Sequence, residues 1–334
     1  MKLDLKADIR TKLLALGLVG LLAACGSQVS QGSGLTSQDA QSLSVAALGD
    51  LELTGAMLGD ASAASLSLQS VGADSLEANA QSWGLPRRVT LILRALGHYI
   101  PNAASGSCTI SKDGDLTDAD DDGVPVSATI TFTCSATGPL GATYDTEGSL
   151  TLKDTNDAQA QSGYSVEFKG FKTRVSSDAN HSLTRTLEGA YTLDRQTSTY
   201  LILKNYTHTV ERKSFNNTTS GSLVFNLSKT YTPDQSALDA GKPFSAGTIV
   251  VDKASPGSVV WTRGNNVRTL QWYTDPNLHW NRAGCQAPGR ILNFDSGAKE
   301  YVYISPAGQQ STLRIAFSGC GDFQVTFNGQ PVAE

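Results

Sequence analysis

The chain of 334 residues carries 26 Lys plus Arg against 31 Asp plus Glu, a formal net charge of −5, with 17% charged residues, 40% apolar residues and 32 Gly. That length admits one large β domain or two ordinary domains. Charge below the usual quarter, with Ser, Thr and Gly in the polar positions, excludes a coiled coil and a disordered acidic tail; with no basic run, no nucleic-acid partner is expected.

Residues 1–24 hold Lys2, Lys6, Arg10 and Lys12 and then an apolar run from Leu13 to Ala24, followed by Cys25. A dozen apolar residues make a helix of about 18 Å, against the ~20 residues that a bilayer crossing needs, so the segment reads as a signal peptide and not as a transmembrane anchor. Leu22-Ala23-Ala24-Cys25 resembles the lipobox of bacterial lipoproteins. The resemblance covers four residues in the right place after an apolar run. It implies that Cys25 becomes a lipidated N-terminus and that the chain meets a membrane through acyl chains. It also implies an extracytoplasmic address, at the outer membrane or cell surface in preference to the inner membrane, because Gly26 and not Asp follows Cys25.

From Gly26 to about Thr36 the chain is rich in Ser, Gly and Gln, and from Ser37 to Trp83 Ala, Ser, Leu and Gly dominate. Residues 25–82 are therefore expected to be a lipidated tether and low-complexity segment, weakly helical at most. Leu85, Val89, Ile92, Leu93 and Leu96 then recur at helical spacing, with Pro86 at the first turn and Gly97 at the end. This predicts an amphipathic helix over Leu85 to Gly97 whose apolar stripe packs on a core.

From Ser105 the period changes to two. Ala128, Ile130, Phe132 and Cys134 alternate with Thr residues, and Leu183, Leu187, Tyr191 and Leu193 with polar ones; Leu223, Phe225 and Leu227 and then Leu313, Ile315 and Phe317 repeat the pattern. Each strand has one apolar and one wet face. Tyr164, Val166 and Phe168 share a parity that Phe171 and Val175 break, so a β-bulge is predicted near Gly170. With turn signals such as Asn216-Asn217 and Asp275-Pro276-Asn277 between the runs, about a dozen antiparallel strands result. The fold class is mainly β, a sandwich or half-barrel with one amphipathic helix near the start of the folded part. The stretch 232–244, with Pro233 and Pro243, reads as a linker between β units at 83–231 and 245–334; one continuous sheet is the alternative.

Without Cys25 the chain has Cys108, Cys134, Cys285 and Cys320, an even number at an oxidising address. Pairing Cys108 with Cys134 and Cys285 with Cys320 closes the shortest loops, and neither pair has the short spacing that tetrahedral zinc favours.

In Asp118-Ala119-Asp120-Asp121-Asp122-Gly123-Val124, carboxylates fall at positions 1, 3 and 5, glycine at 6 and a backbone carbonyl at 7. Hard oxygen ligands at this spacing are how a loop wraps Ca²⁺. The run resembles the Asp-x-Asp-x-Asp-Gly loops of EF-hands and thrombospondin type 3 repeats, over about eight residues. Asp118, Asp120, Asp122 and Val124 are the implied ligands. The ninth-position acid and the twelfth-position Glu are missing, Val126 and Thr129 standing there, so a weak site is expected, with Asp113 or Asp115 as additional ligands.

Catalytic patterns are poor: His98, His181, His208 and His279 form no metal-binding pair, and no nucleophile elbow, Walker loop or dinucleotide fingerprint is present. Trp261, Trp272 and Trp280 lie within twenty residues of one another and are candidates for anchoring a protein or glycan partner, with core packing as the alternative. The sequence thus predicts a non-catalytic envelope lipoprotein, a disulfide-stapled β scaffold. The alternatives are a carrier of an apolar or lipid-like ligand in a curved sheet, with the helix at Leu85 as lid, and a hydrolase of no recognised pattern.

Overall fold

The computed structural model describes residues 34–59, 85–95, 106–137, 141–215, 217–282, 284–285 and 292–332. The expected signal peptide, Cys25, Trp83 and the end of the predicted helix at Leu96 and Gly97 lie outside them. The molecule is mainly β. Its strands are β1 Gly106–Asp115, β2 Ser127–Thr137, β3 Thr143–Asp154, β4 Gly163–Asp178, β5 His181–Arg195, β6 Tyr200–Ser214, β7 Asn217–Pro233, β8 Ala246–Val250, β9 Gly257–Arg263, β10 Asn266–Thr274, β11 Leu278–Asn281, β12 Phe294–Ile304, β13 Gln310–Gly319, β14 Asp322–Phe327 and β15 Gln330–Pro331. Every pairing is antiparallel, and β1 to β7 form an uninterrupted meander.

The short strands beyond β7 continue that meander. β7 pairs with β8 at Thr230–Pro233 and with β9 at Ser222–Phe225, so β8 and β9 are successive parts of one interrupted strand. β10 and β11 share the next position in the same way, both pairing with β12. The sheet therefore runs through residues 232–244 without a break. The expected linker instead holds the end of β7 and a short helix, Gln235–Asp239, and the two-unit division gives way to the single-sheet alternative. Pro233 does not end the sheet because it is the last residue of its strand, where a missing N–H costs little.

The predicted bulge is present: register shifts between Phe168 and Phe171, where Gly170 has φ +56°. Its neighbour across β3 must also be glycine, since a Cβ on Gly148 would lie 2.1 Å from the Gly170 carbonyl oxygen.

The segment expected to be tether contains the largest departure. Ser37–Leu58 is a 22-residue helix, α1, capped by Thr36 and Asp39 in a reciprocal capping box, and 17 of its residues are buried. The partners of the helix and of Leu35 just before it come from eight strands, from Tyr164 on β4 to Ser311 on β13. Flat, those strands would spread over roughly 30 to 40 Å at ~4.8 Å spacing, so the sheet must curl around the helix to bring them together. Small residues fit this place because the strands supply the bulk. Gly49, for example, lies so close to His208 that a Cβ would come within 2.5 Å of the ring. A helix buried on all sides needs no amphipathic stripe, which is why the periodicity of this stretch gave no warning.

The second helix, α2 Arg87–Ala95, matches the predicted amphipathic helix and buries Val89, Ile92 and Leu93 in the same core. Arg88 ties it to α1 by donating to the carbonyls of Met57 and Gly59. Disulfides join Cys108 to Cys134, across β1 and β2, and Cys285 to Cys320, as the local spacing predicts. Among the described residues no helix is long and apolar enough to cross a membrane.

Candidate functional site

Two groups of carboxylates organise the polar chemistry. The first lies along α1. Near its start, Asp39 receives Arg263 at 3.1 Å and Arg268 at 2.8 Å, from β9 and β10. Nearly two turns before the end, Glu52 meets Arg185 of β5 at 3.0 Å. Between them Asp50, fully buried, accepts hydrogen bonds from Lys204 and Tyr206 on β6 and from Lys299 on β12 at 2.6 Å. Lys229 of β7 reaches Thr54 Oγ1 at 3.3 Å, and Lys204 reaches the same atom at 2.9 Å. Lys299 also sits 4.5 Å from the centre of the Trp272 ring, so the aromatic lining shares in solvating the ammonium groups.

The electrostatics follow from burial and count. Burial alone would raise the Asp50 pKa, but Lys204, Lys299 and Lys229 overcome it and hold the carboxylate well below its ordinary value. Glu52, with one arginine, stays above its ordinary value because burial wins. Burial lowers Lys299 to about 8, and burial together with Lys204 pushes Lys229 well below the usual lysine range. His208, enclosed beside Gly49, is lowered by burial and by Arg185 to about 3 and is neutral. Six basic side chains thus point from the sheet toward three acids of one helix.

The second group is the Asp-rich loop between β1 and β2. Asp118 accepts the backbone N–H of Asp122 at 3.2 Å and of Gly123 at 3.0 Å, closing the loop on itself, and Gly123 has the φ of +85° that the turn demands. Oxygens of Asp120 and Asp122 come together with one of Asp154, from the end of β3, and oxygens of Asp118 and Asp120 with one of Asp157. All atoms of each triplet lie within 4.8 Å of one another. Asp154 is 6% exposed; its Oδ1 receives Asn156 and Ser162, while Oδ2 has no hydrogen-bond partner and neither does Oδ2 of Asp120. Burial, then the charge of Asp122, raises the Asp120 pKa to about 6, and burial raises Asp122 and Asp154 as well. Arg88 offsets part of the rise at Asp122, but these acids have no cluster of lysines like the one around Asp50.

Several sequence expectations are redirected here. Asp113 and Asp115 stay on β1, bonded to Gly114 and to Thr117, and it is Asp154 and Asp157 that join the loop. The β3–β4 turn folds back against the loop, with the Ala119 N–H donating to Asp157 and that of Gln161 to Asp122, a proximity that local spacing does not encode. Val124 is fully buried and donates its N–H to Asp122. Trp261, Trp272 and Trp280 are each at most 1% exposed and belong to the core, so they offer no partner-binding surface. Burial of their large apolar rings accounts for their place there, and Trp280 also donates its indole N–H to the Phe244 carbonyl at 2.8 Å. His279 lies between Asp295 at 2.7 Å and Asp234 at 3.0 Å and links β11 to the start of the connecting segment; burial opposes its protonation, but the two acids prevail and raise its pKa.

Comparison with family models, with curated proteins and with solved structures returns no match for this chain.

Proposed function

We propose that this chain is a non-catalytic lipoprotein of the bacterial cell envelope, anchored through acyl chains on Cys25 and exposed outside the cytoplasm as a disulfide-stapled β scaffold. The observation that carries the scaffold reading is the filled concave face. In a half-barrel carrier that space holds an acyl chain, whereas here α1 occupies it from end to end. The lipobox supports the address, and the two disulfides suit an oxidising compartment. A protein or glycan partner then binds the outer surface of the sheet or its loops. The Asp-rich loop serves as a weak Ca²⁺ site, supported by the oxygen spacing and by the orphaned Oδ2 of buried Asp154.

A carrier is the second reading. The six basic side chains that meet three acids on the concave face favour it, because an anionic amphiphile taking the place of α1 would find them ready. Solvent extraction of the purified native protein separates the readings: a carrier yields lipid near one mole per mole beyond the acyl chains on Cys25, and a scaffold yields none. The address is tested by intact mass of the mature N-terminus, with acylated Cys25 expected, and by Cys25→Ser, which should release the protein from membranes.

A further inference from the structure

We propose that one end of the curled sheet, the end at which α1 begins, is a lipid-docking rim that sits against the membrane surface. This rests on the lipid-anchored reading and adds to it an orientation and a contact surface.

Because the sheet is a meander, its turns alternate between two ends. One end collects the β4–β5, β6–β7, β9–β10 and β12–β13 turns, and the other the Asp-rich loop, the β3–β4 turn and the start of β12. α1 enters at the first end: the Leu35 N–H donates to Ser311 Oγ at the start of β13, and Asp39 is held by Arg263 and Arg268 on either side of the β9–β10 turn. Nine residues separate Gly34 from Cys25, which span at most about 32 Å even when fully extended. A strand such as β6, with 15 residues, is about 50 Å long. The entry end is therefore the one that an acylated Cys25 holds near the bilayer.

An independent observation selects the same end. The three most exposed large apolar side chains of the described residues are Val267 at 66%, Phe215 at 55% and Ile304 at 53%. Phe215 is in the β6–β7 turn, Val267 follows the β9–β10 turn and Ile304 ends β12 beside the β12–β13 turn, so all three belong to the entry end. Leu116, Leu238 and Phe323 at the opposite end are less exposed and share it with the acidic loop. β7 pairs with β9 and β10 with β12, which makes the three hairpins successive, and carrying the β10–β12 register two residues past Gln271 and Val302 sets Ile304 across from Thr269 and so diagonally across from Val267. Exposed apolar tips in a row cost solubility in water and gain burial in the interfacial region of a bilayer. The opposite end carries Asp118, Asp120, Asp121, Asp122, Asp154 and Asp157, which an anionic lipid surface repels.

The test uses the acylated full chain, its Cys25 modification first verified by intact mass, in vesicles of phosphatidylethanolamine and phosphatidylglycerol containing a nitroxide-bearing lipid. A fluorophore is placed on Val267→Cys at the entry end or on Leu116→Cys at the far end, both exposed in the native protein. Quenching severalfold stronger at position 267 than at 116 is expected. Adding Phe215→Asp and Ile304→Asp should bring the 267 signal down toward that at 116, with circular dichroism unchanged. Equal quenching at the two positions of acylated protein overturns the docking rim and leaves the anchor intact. An unacylated N-terminus overturns the anchor, and the docking rim with it.

Discussion

Asp50 and Asp120 are both acids in crowded polar surroundings, and those surroundings push them in opposite directions. Asp50, sealed in the interior, is held well below its ordinary pKa by three lysines, while Asp120, at the edge of a loop, is raised to about 6 by burial and by its acidic neighbours. Burial penalises both charges, and more completely at Asp50; three lysines reverse the penalty there, whereas the neighbours of Asp120 are acids that add to it. Where the fold provides its own counter-charges, the carboxylate is part of the architecture and holds the helix in the sheet. Where it provides few, as in the Asp-rich loop, the proposed Ca²⁺ would supply the missing counter-charge.

The largest effect should come from breaking the interior cluster. Asp50→Ala strands Lys204 and Lys299 in the core without a carboxylate, and leaving buried charge unpaired costs about 3–5 kcal/mol. Asp120→Ala removes a repulsion and should cost little in the absence of metal. Urea unfolding of the two variants measures the contrast, and similar losses for both would dissolve it. Lys229→Met sharpens the point: this lysine is pushed toward neutrality and hydrogen-bonds Thr54, with Lys204 and Lys299 left to hold Asp50, so an apolar replacement should cost far less than Asp50→Ala.

Next come the covalent staples, one toward each edge of the sheet. Cys108–Cys134 and Cys285–Cys320 are separated by 26 and 35 residues, for which the chain-entropy account gives on the order of 3 to 4 kcal/mol each. Replacing either pair by serine should lower the midpoint of thermal unfolding by a similar amount. A far larger loss for one of them would mean that its edge of the sheet, unlike the ionic centre, depends on the staple to form at all.

Much of this architecture was legible in the sequence, and the part that was not has a physical reason. Alternation placed the strands, and the parity change from Phe168 to Phe171 placed the bulge, because a pleat with one buried face writes a period of two directly into the chain. α1 left no such trace. A helix enclosed by sheet has no wet face, and its Ala, Gly and Ser content reads as linker. Yet a signal was there: Lys204 shares parity with Ile202, Tyr206 and Val210, Lys229 with Phe225 and Tyr231, and Lys299 with Tyr301. Lysine on the apolar face of three strands requires acids from elsewhere in the core, and 26–84 has six acids and no Lys or Arg. The Thr36–Asp39 cap was equally readable as the start of a helix. For the loop, spacing within the chain pointed to Asp118, Asp120 and Asp122, but the contributions of Asp154 and Asp157 depend on a turn more than thirty residues away.

A further contrast is between titration in the interior and at neutral pH. His208 has its folded-state pKa lowered to about 3, against an ordinary 6.5, so the unfolded chain binds the proton more readily in that window. Its contribution to stability is fully present above about pH 6.5 and is lost as the pH falls toward 3, with a slope approaching 1.4 kcal/mol per pH unit. His208→Leu should flatten the stability profile between about pH 6.5 and 4.5. An unchanged slope in the variant would assign the acid sensitivity to another group.

The smallest expected effect tests the other half of the opening contrast. If the loop is poised for a cation, Ca²⁺ should stabilise the native protein in proportion to the logarithm of its concentration over Kd. With a site lacking the ninth- and twelfth-position acids, Kd falls in the sub-millimolar to millimolar range, and about 5 mM Ca²⁺ then contributes on the order of 1 kcal/mol, a rise in Tm of a few degrees. Mg²⁺ should give less, because the smaller ion demands a stricter octahedron and holds its water. Asp120→Asn with Asp122→Asn should abolish the gain, and so should Asp154→Asn alone, since Asp154 is the one acid of its triplet from outside the loop and offers an unpartnered oxygen. Asp113→Asn with Asp115→Asn should leave it intact, because both of those side chains are turned to their own strand and its turn. Equal melting curves for the wild type and the Asp120, Asp122 variant at that calcium concentration would reduce the loop to a solvated acidic turn, leaving Asp50 with its lysines as the acid that the fold uses.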